Sequence, residues 1–98
     1  MTRVVHVRKA DFDIYIGRAI QEFDESVWHN PFRIEHGCGR KCVLLKFEAH
    51  VRSRPELMAR LGELRGKTLG CWCKDKHGRG KACHGDVLEK LVKEVFGE

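Results

Sequence analysis

The sequence predicts a small α/β domain in which a short β-sheet is covered by about three helices. Residues 3–8 are rich in β-branched side chains, which favour a strand. Two amphipathic helical patterns come later, and a strand-like stretch then precedes a last apolar helix. Strands and helices in this order pack most simply as a sheet with helices on its faces. We expect residues 1–98 to form one domain.

The first part of the chain is predicted to contribute two strands and a long loop. One strand covers Arg3 to Arg8, and a second, shorter one covers Asp13 to Arg18. From Gln21 to Gly39 no periodicity is sustained, and turn-forming residues are frequent. This pattern predicts an ordered loop that Trp28 and Phe32 anchor to the core.

Three helices are predicted in the rest of the chain. From Arg40 to Ser53, apolar residues recur at spacings of three and four, which is typical of an amphipathic helix. Ser53 and Glu56 fit a capping box that begins a second helix, and Gly66 ends it. The last helix is predicted from Asp86 to Phe96.

A cysteine-containing strand gives the most informative functional signal. The strand is predicted over Lys67–Lys74, where side chains alternate between faces. Cys71 and Cys73 then share one face, and Trp72 points into the core on the other. Alternate Cα atoms of a strand lie roughly 6.6 Å apart, so both sulfurs can lean toward one zinc ion with bonds of about 2.3 Å.

Cys83 and His84 stand directly before the last helix and extend this signal. If the chain between Lys74 and Ala82 folds back over the end of the strand, they join Cys71 and Cys73 in a Cys3His set. That ligand count matches a closed structural zinc site, which stabilises the fold and leaves no open position for hydrolysis. An iron–sulfur cluster is a less favoured occupant.

The same residues support other interpretations. Free cysteines are often small buried hydrophobes, and His84 would then cap the helix. Alternatively, the chain is a small enzyme on nucleotide-like substrates, with Cys83 or Cys71 as a thiolate. The helix N-terminus and Lys81 would favour that thiolate, and Arg18 would neutralise developing charge. A redox role is a third option, and the sequence alone assigns no catalytic residue.

Cys38 and Cys42 form a second, weaker pattern. Their spacing of four permits a metal pair together with His36. Cys38 lies in a Gly-Cys-Gly turn, however, and Cys42 is expected to face the core, so we favour structural roles for both.

The charge of the chain points to phosphate-bearing partners. Lys and Arg number 19 against 14 Asp and Glu, which gives a formal net charge of +5. Such a surface attracts nucleotides and nucleic acids. Gly85 would let an anion approach the helix N-terminus, although Asp86 could cap it instead. The predicted phosphate pocket comprises Gly17, Arg18, Asn30, Lys74 and Gly85.

The expected location is the cytoplasm. The apolar stretches are far too short to cross a bilayer, and no signal-peptide pattern follows Met1. Five cysteines would leave one unpaired in a fully disulfide-bonded protein, whereas a reducing compartment keeps thiols free for metal binding or chemistry. An intracellular thermophile could still hold a disulfide.

Several short motifs together resemble the domain of unknown function 4326 family, whose members are short proteins of bacteria, archaea and phages. The motifs are Tyr15-Ile16-Gly17-Arg18, Trp28 with Asn30-Pro31-Phe32, Leu69-Gly70-Cys71-Trp72-Cys73, and Cys83-His84-Gly85-Asp86-Val87-Leu88. The resemblance spans nearly the whole chain. It implies no activity, but it implies that these motifs lie together if they form one site.

Overall fold

A three-stranded parallel sheet forms the centre of the fold. The computed structural model describes residues 2–74 and 80–97. Strand β3 (Thr68–Cys71) lies between β1 (Arg3–His6) and β2 (Ile14–Tyr15) and pairs in parallel with both. The carboxyl ends of the three strands therefore meet at one edge, which is where open parallel sheets bind their ligands.

Within residues 2–74 and 80–97, three α-helices accompany the sheet, which confirms the predicted α/β class. They are α1 (Arg40–Arg52), α2 (Pro55–Arg60), which continues into a short 3-10 helix (Leu61–Leu64), and α3 (His84–Phe96). Within the described ranges, no helix is both long enough and apolar enough to span a bilayer.

The core lies between the sheet and the helices. Phe47 of α1, Leu69 of β3 and Leu88 of α3 are almost fully buried and belong to one cluster. Trp28 is also in this cluster and only 2% exposed, which confirms that it anchors the long loop. The loop is thereby held against the same core as the strand ends.

Two local predictions were wrong. The capping box at Ser53 does not form, because Ser53 still belongs to the end of α1: its N–H donates to the Ala49 carbonyl and its hydroxyl to the His50 carbonyl. The N-cap of α2 is Arg54, which makes no side-chain cap. Trp72 is 38% exposed and is not a core residue, because β3 ends one residue before it and the alternation of faces stops there.

Candidate metal centre and adjoining cavity

Three cysteine sulfurs converge where β3 ends and α3 begins. Cys71 is the last residue of β3, Cys73 follows two residues later, and Cys83 is the N-cap of α3. The three Sγ atoms all lie within 4.8 Å of one another, and those of Cys71 and Cys83 are 3.5 Å apart. Tetrahedral coordination with Zn–S bonds of about 2.3 Å requires sulfurs about 3.8 Å apart. The group could therefore hold a metal ion.

The start of α3 is fixed by a reciprocal cap. The Cys83 side chain accepts from the Asp86 N–H, and Asp86 Oδ2 accepts from the Cys83 N–H at 3.0 Å. Asp86 Oδ2 also accepts from Lys74 Nζ at 2.8 Å. The carboxylate thus ties the segment after β3 to the first turn of α3. Of the two roles considered for this helix start, anion binding and capping by Asp86, the structure shows the cap.

The observed role of Lys74 differs from its predicted role as a residue of the phosphate pocket. Its side chain is only 7% exposed, and its ammonium group is paired with Asp86. Burial acts against the charge, but the hydrogen bond and attraction to Asp86 raise the pKa of Lys74 above its usual range. The ammonium charge of Lys74 therefore stabilises the start of α3, because its partner is the Asp86 carboxylate in the first turn. The next basic residues of the sequence, Lys76, His77 and Arg79, lie outside the described residues.

Gly85 also has a different role from the predicted one. It is buried, and a Cβ built on it would lie 2.8 Å from Val4 Cγ1 and 3.0 Å from Ile16 Cδ1. The absent side chain therefore lets α3 approach β1 closely. The close approach brings Cys83 to the end of β3.

His84 does not join the sulfur group. Its Nε2–H donates to the Ile16 carbonyl at 2.6 Å, and its ring meets the edge of Phe47 at 5.2 Å between centroids. Burial lowers the pKa of His84, which favours the neutral ring. The predicted Cys3His set is therefore corrected to three cysteines within residues 2–74 and 80–97, because neither ring nitrogen of His84 lies within 4.8 Å of all three sulfurs.

The three thiols have unequal acidities. Hydrogen bonds from the Cys71 and Cys83 thiols, together with one from Arg40, hold the pKa of Cys73 far below its usual range. The pKa values of Cys71 and Cys83 are raised, chiefly by the interactions among the three sulfurs. In the metal-free cluster, these interactions favour a thiolate at Cys73, which is half-buried, over one at Cys83, which is 2% exposed. In the enzyme interpretation, the structure thus moves the nucleophile from Cys83 to Cys73.

A cavity of about 540 Å³ adjoins the sulfur cluster. Its walls are aromatic, aliphatic and basic, and no acidic residue of the described part of the chain lines it. The lining consists of Tyr15, Gly17, Arg18, Ile20, Asn30, Phe32, Arg33, Ile34, Arg40, Val43, Leu44, Cys71, Trp72, Cys73, Cys83 and His84. Of the predicted phosphate residues, Gly17, Arg18 and Asn30 line this cavity beside the cysteines, whereas Lys74 and Gly85 do not line it.

Arg18 and Asn30 also build the wall that they line. The Arg18 guanidinium donates to the Asn30 carbonyl at 2.8 and 3.0 Å and to the Phe32 carbonyl at 2.8 Å. Asn30 Oδ1 accepts from the Phe32 N–H at 2.9 Å. Gly17 leaves room for the Tyr15 ring, whose hydroxyl donates to the Arg18 carbonyl at 2.6 Å. These bonds hold the Asn-Pro-Phe segment against the carboxyl ends of the strands.

The sequence did not single out several cavity residues, among them Arg33, Arg40 and Trp72. Arg40 begins α1, donates to the Ala82 carbonyl at 2.8 Å and lies beside the Cys73 sulfur. Trp72 forms part of the cavity wall, and its Nε1–H donates to the Tyr15 hydroxyl at 3.0 Å. One indication for Arg40 was present in the sequence, namely a cation at the start of a predicted helix. A cation is unfavourable there because the helix dipole is positive at its N-terminus, so another role for the residue could have been suspected.

Cys38 and Cys42 flank the start of α1 and are joined by a disulfide. The sequence analysis did not pair them, and it expected Cys42 rather than Cys38 in the core. The structure reverses this, with Cys38 6% exposed and Cys42 half-buried. The bridge closes around Arg40 and so constrains the segment that carries this cavity residue.

Comparison with known proteins places the chain in a family. The sequence model described as "Domain of unknown function (DUF4326)" matches residues 2–94, a range that includes all three clustered cysteines. The chain belongs to this family. No solved structure matches it.

Two viral proteins are similar to this DUF4326 chain. One is an uncharacterized protein of Acanthamoeba polyphaga mimivirus, 36% identical over 90 residues, which covers 85% of this chain and 68% of the viral protein. The other is an uncharacterized 12.4 kDa protein from the nrdA-td intergenic region of Enterobacteria phage T4. It is 32% identical over 99 residues, which covers 98% of this chain and 82% of the phage protein.

Proposed function

We propose that this chain is a zinc-binding domain whose adjoining cavity accepts the phosphate of a nucleotide. The observation that carries the proposal is the convergence of the Cys71, Cys73 and Cys83 sulfurs within 4.8 Å at the cavity wall. Thiolates are preferred ligands of zinc, and three of them supply most of a tetrahedral site. Zinc would also stabilise the contact between β3 and α3, because its ligands come from both.

The charge and shape of the cavity support an anionic, partly aromatic ligand. Arg18, Arg33 and Arg40 line it, and no described acidic side chain opposes them. Guanidinium groups bind phosphate oxygens with paired hydrogen bonds. Tyr15 is already stacked on Phe23, whereas the exposed part of the Trp72 ring offers a surface on which a base can stack. The volume of about 540 Å³ lies within the range of small-molecule sites.

Metal content tests the zinc proposal directly. We expect protein purified from zinc-supplemented cells to contain close to one zinc ion per chain, and Cys71→Ser or Cys83→Ser to remove most of it. Cys38→Ser combined with Cys42→Ser is the matched control, because it replaces two cysteines outside the sulfur group and should leave the zinc content unchanged. Zinc-free wild-type protein, or equal loss in the control, would contradict the proposal.

Binding measurements test the phosphate proposal. The zinc-loaded protein should bind a nucleoside monophosphate, and binding should weaken as salt is added because the contact is ionic. Arg33→Ala should weaken it, whereas Arg60→Ala should not, since Arg60 is paired with Glu63 away from the cavity. A single-stranded oligonucleotide in a parallel titration distinguishes a nucleic acid from a free nucleotide as the source of the phosphate. Absence of binding of either at low salt would exclude this part of the proposal.

A second candidate function is thiol chemistry on the same ligand class. It is favoured by Cys73, whose thiolate is stabilised by neighbouring donors and borders the cavity. A thiolate at neutral pH is the form in which cysteine acts as a nucleophile. Purified protein without zinc whose Cys73 is alkylated unusually fast would favour this function, whereas stoichiometric zinc with unreactive thiols would favour metal binding.

A further inference from the structure

We infer that the fourth ligand of the metal is a ring nitrogen of a purine nucleotide bound in the cavity. The inference rests on the proposed zinc site and specifies the ligand class and its mode of attachment. It follows from four features of the site: the number of protein ligands, the position of the sulfurs, the charge of the cluster and the composition of the cavity walls.

The described chain offers only three ligand atoms. Within residues 2–74 and 80–97, no further His, Cys, Asp or Glu atom joins Cys71, Cys73 and Cys83. Neither ring nitrogen of the neighbouring His84 lies within 4.8 Å of all three sulfurs. Zinc in proteins is almost always four-coordinate when structural, and it keeps a fourth position for water or substrate when three protein ligands hold it.

The open position faces the cavity. All three cysteines line the cavity wall, with Cys71 at the end of β3 and Cys83 at the N-cap of α3. A metal held by these sulfurs directs its remaining position away from the residues that supply them. A molecule in the cavity can therefore reach a metal held by these sulfurs.

The charge of the cluster favours a neutral donor. Zinc with three thiolates carries a net charge of −1, so a phosphate oxygen at the fourth position would add further negative charge. A neutral aromatic nitrogen adds none, and imidazole-type nitrogen is a preferred zinc ligand. Purines present such a nitrogen, N7, as an unprotonated acceptor on their five-membered ring, and pyrimidines lack it.

The cavity walls suit the rest of a purine nucleotide. Trp72 is 38% exposed, and its ring is oriented by the hydrogen bond from Nε1–H to Tyr15. The Arg8 guanidinium lies over this ring at 5.3 Å from its centroid, so the part of the ring that Arg8 does not cover is available to a base. Arg33 and Arg40 can take the phosphate. The anion is then neutralised by guanidinium groups, and the neutral base contacts the anionic metal cluster.

Cobalt substitution tests this inference, because Co²⁺ in a sulfur-rich site has visible absorption bands that respond to a change of ligand. Guanosine monophosphate is added to the Co²⁺-loaded protein and is compared with its 7-deaza analogue, which has the same shape without N7. Cytidine monophosphate and inorganic phosphate are the further probes. We expect guanosine monophosphate to shift the bands and the other three to leave them in place.

Several outcomes would overturn the inference. An equal shift with the 7-deaza analogue would show that N7 is not the donor, and so would unchanged bands with every probe. A band change in the ligand-free protein on His84→Ala, His77→Ala or Asp75→Ala would show that a side chain fills the position. In each case Co²⁺ still binds, so the proposed metal site stands. Failure of Co²⁺ to bind would instead reject the metal site itself and the inference with it.

Discussion

The Sγ atoms of Cys71 and Cys83 lie 3.5 Å apart although the two residues are 12 positions apart in the chain. One ends the central strand and the other begins the last helix. Their contact depends on how α3 is seated on the sheet, because Cys83 is fixed by the cap at the helix start. Metal affinity and the stability of this junction should therefore change together.

Removal of the Asp86 carboxylate should loosen this junction. In Asp86→Ala, the Cys83 N–H and the Lys74 ammonium lose a shared acceptor. We expect the free energy of unfolding of the metal-free protein to fall by about 1–2 kcal/mol, the usual effect of losing an N-cap. Urea denaturation measures this, and zinc affinity should fall in parallel. Asp24→Ala, at an exposed loop position, is the control and should change stability by less than about 0.5 kcal/mol.

A methyl group at Gly85 should force α3 away from β1. The added Cβ would lie 2.8 Å from Val4 Cγ1, and both residues are buried. We expect Gly85→Ala to reduce the free energy of unfolding by about 1–3 kcal/mol, as overpacking does, even though alanine is the better helix former. Gly62→Ala is the matched control, since its Cβ would lie 3.6 Å from the Phe96 ring. If the two variants prove equally stable, the close approach at Gly85 is not a constraint.

The helices and the loop anchor could be predicted because their signals are local. Val43, Phe47 and Val51 recur with the helical period, and all three are buried in α1. Trp28 is a large apolar side chain in a polar stretch, and burying it removes much surface from water. The end of β3 could not be placed in the same way, since its last residues still resemble a strand in composition. The orientation predicted for Trp72 was consequently wrong.

The types of residue in the candidate site could be predicted from the sequence, but their arrangement in space could be predicted only in part. The soft ligand chemistry of cysteine pointed to Cys71, Cys73 and Cys83, and the structure brings their sulfurs together. The partner of His84 is the Ile16 carbonyl, 68 positions earlier in the chain. Every residue carries such a carbonyl, so no sequence pattern marks this one. Arg40 was missed for a similar reason, because its place beside Cys73 depends on how α1 meets the end of β3.

The acidity of Cys73 should appear in its alkylation kinetics. Its pKa is lowered by hydrogen bonds from the Cys71 and Cys83 thiols and from Arg40, so in metal-free protein it stays ionised as the pH falls. Its rate with iodoacetamide should change by less than about threefold between roughly pH 6 and pH 8, whereas an ordinary thiol speeds up about 50- to 100-fold. Mass spectrometry identifies the modified cysteine.

Two comparisons accompany the alkylation experiment. Arg40→Met removes one donor to the thiolate, so the rate should become more dependent on pH, in the direction of an ordinary thiol. Zinc should protect all three clustered cysteines, because a coordinated sulfur is a weaker nucleophile. A steep pH dependence in the unaltered metal-free protein would show that Cys73 is not the thiolate of the cluster.

Trp72 should report ligand binding through its fluorescence. The chain has two tryptophans, of which Trp28 is 2% exposed and Trp72 is 38% exposed at the cavity wall. Acrylamide should therefore quench only the Trp72 component of the emission, and Trp72→Phe should abolish most of that quenching. A nucleotide stacked on this ring should both shift the emission and reduce the quenching constant, because it covers the exposed face.

Trp28 emission in Trp72→Phe is the internal control and should not respond. Full nucleotide binding with no change in Trp72 emission would place the base elsewhere than on this wall of the cavity.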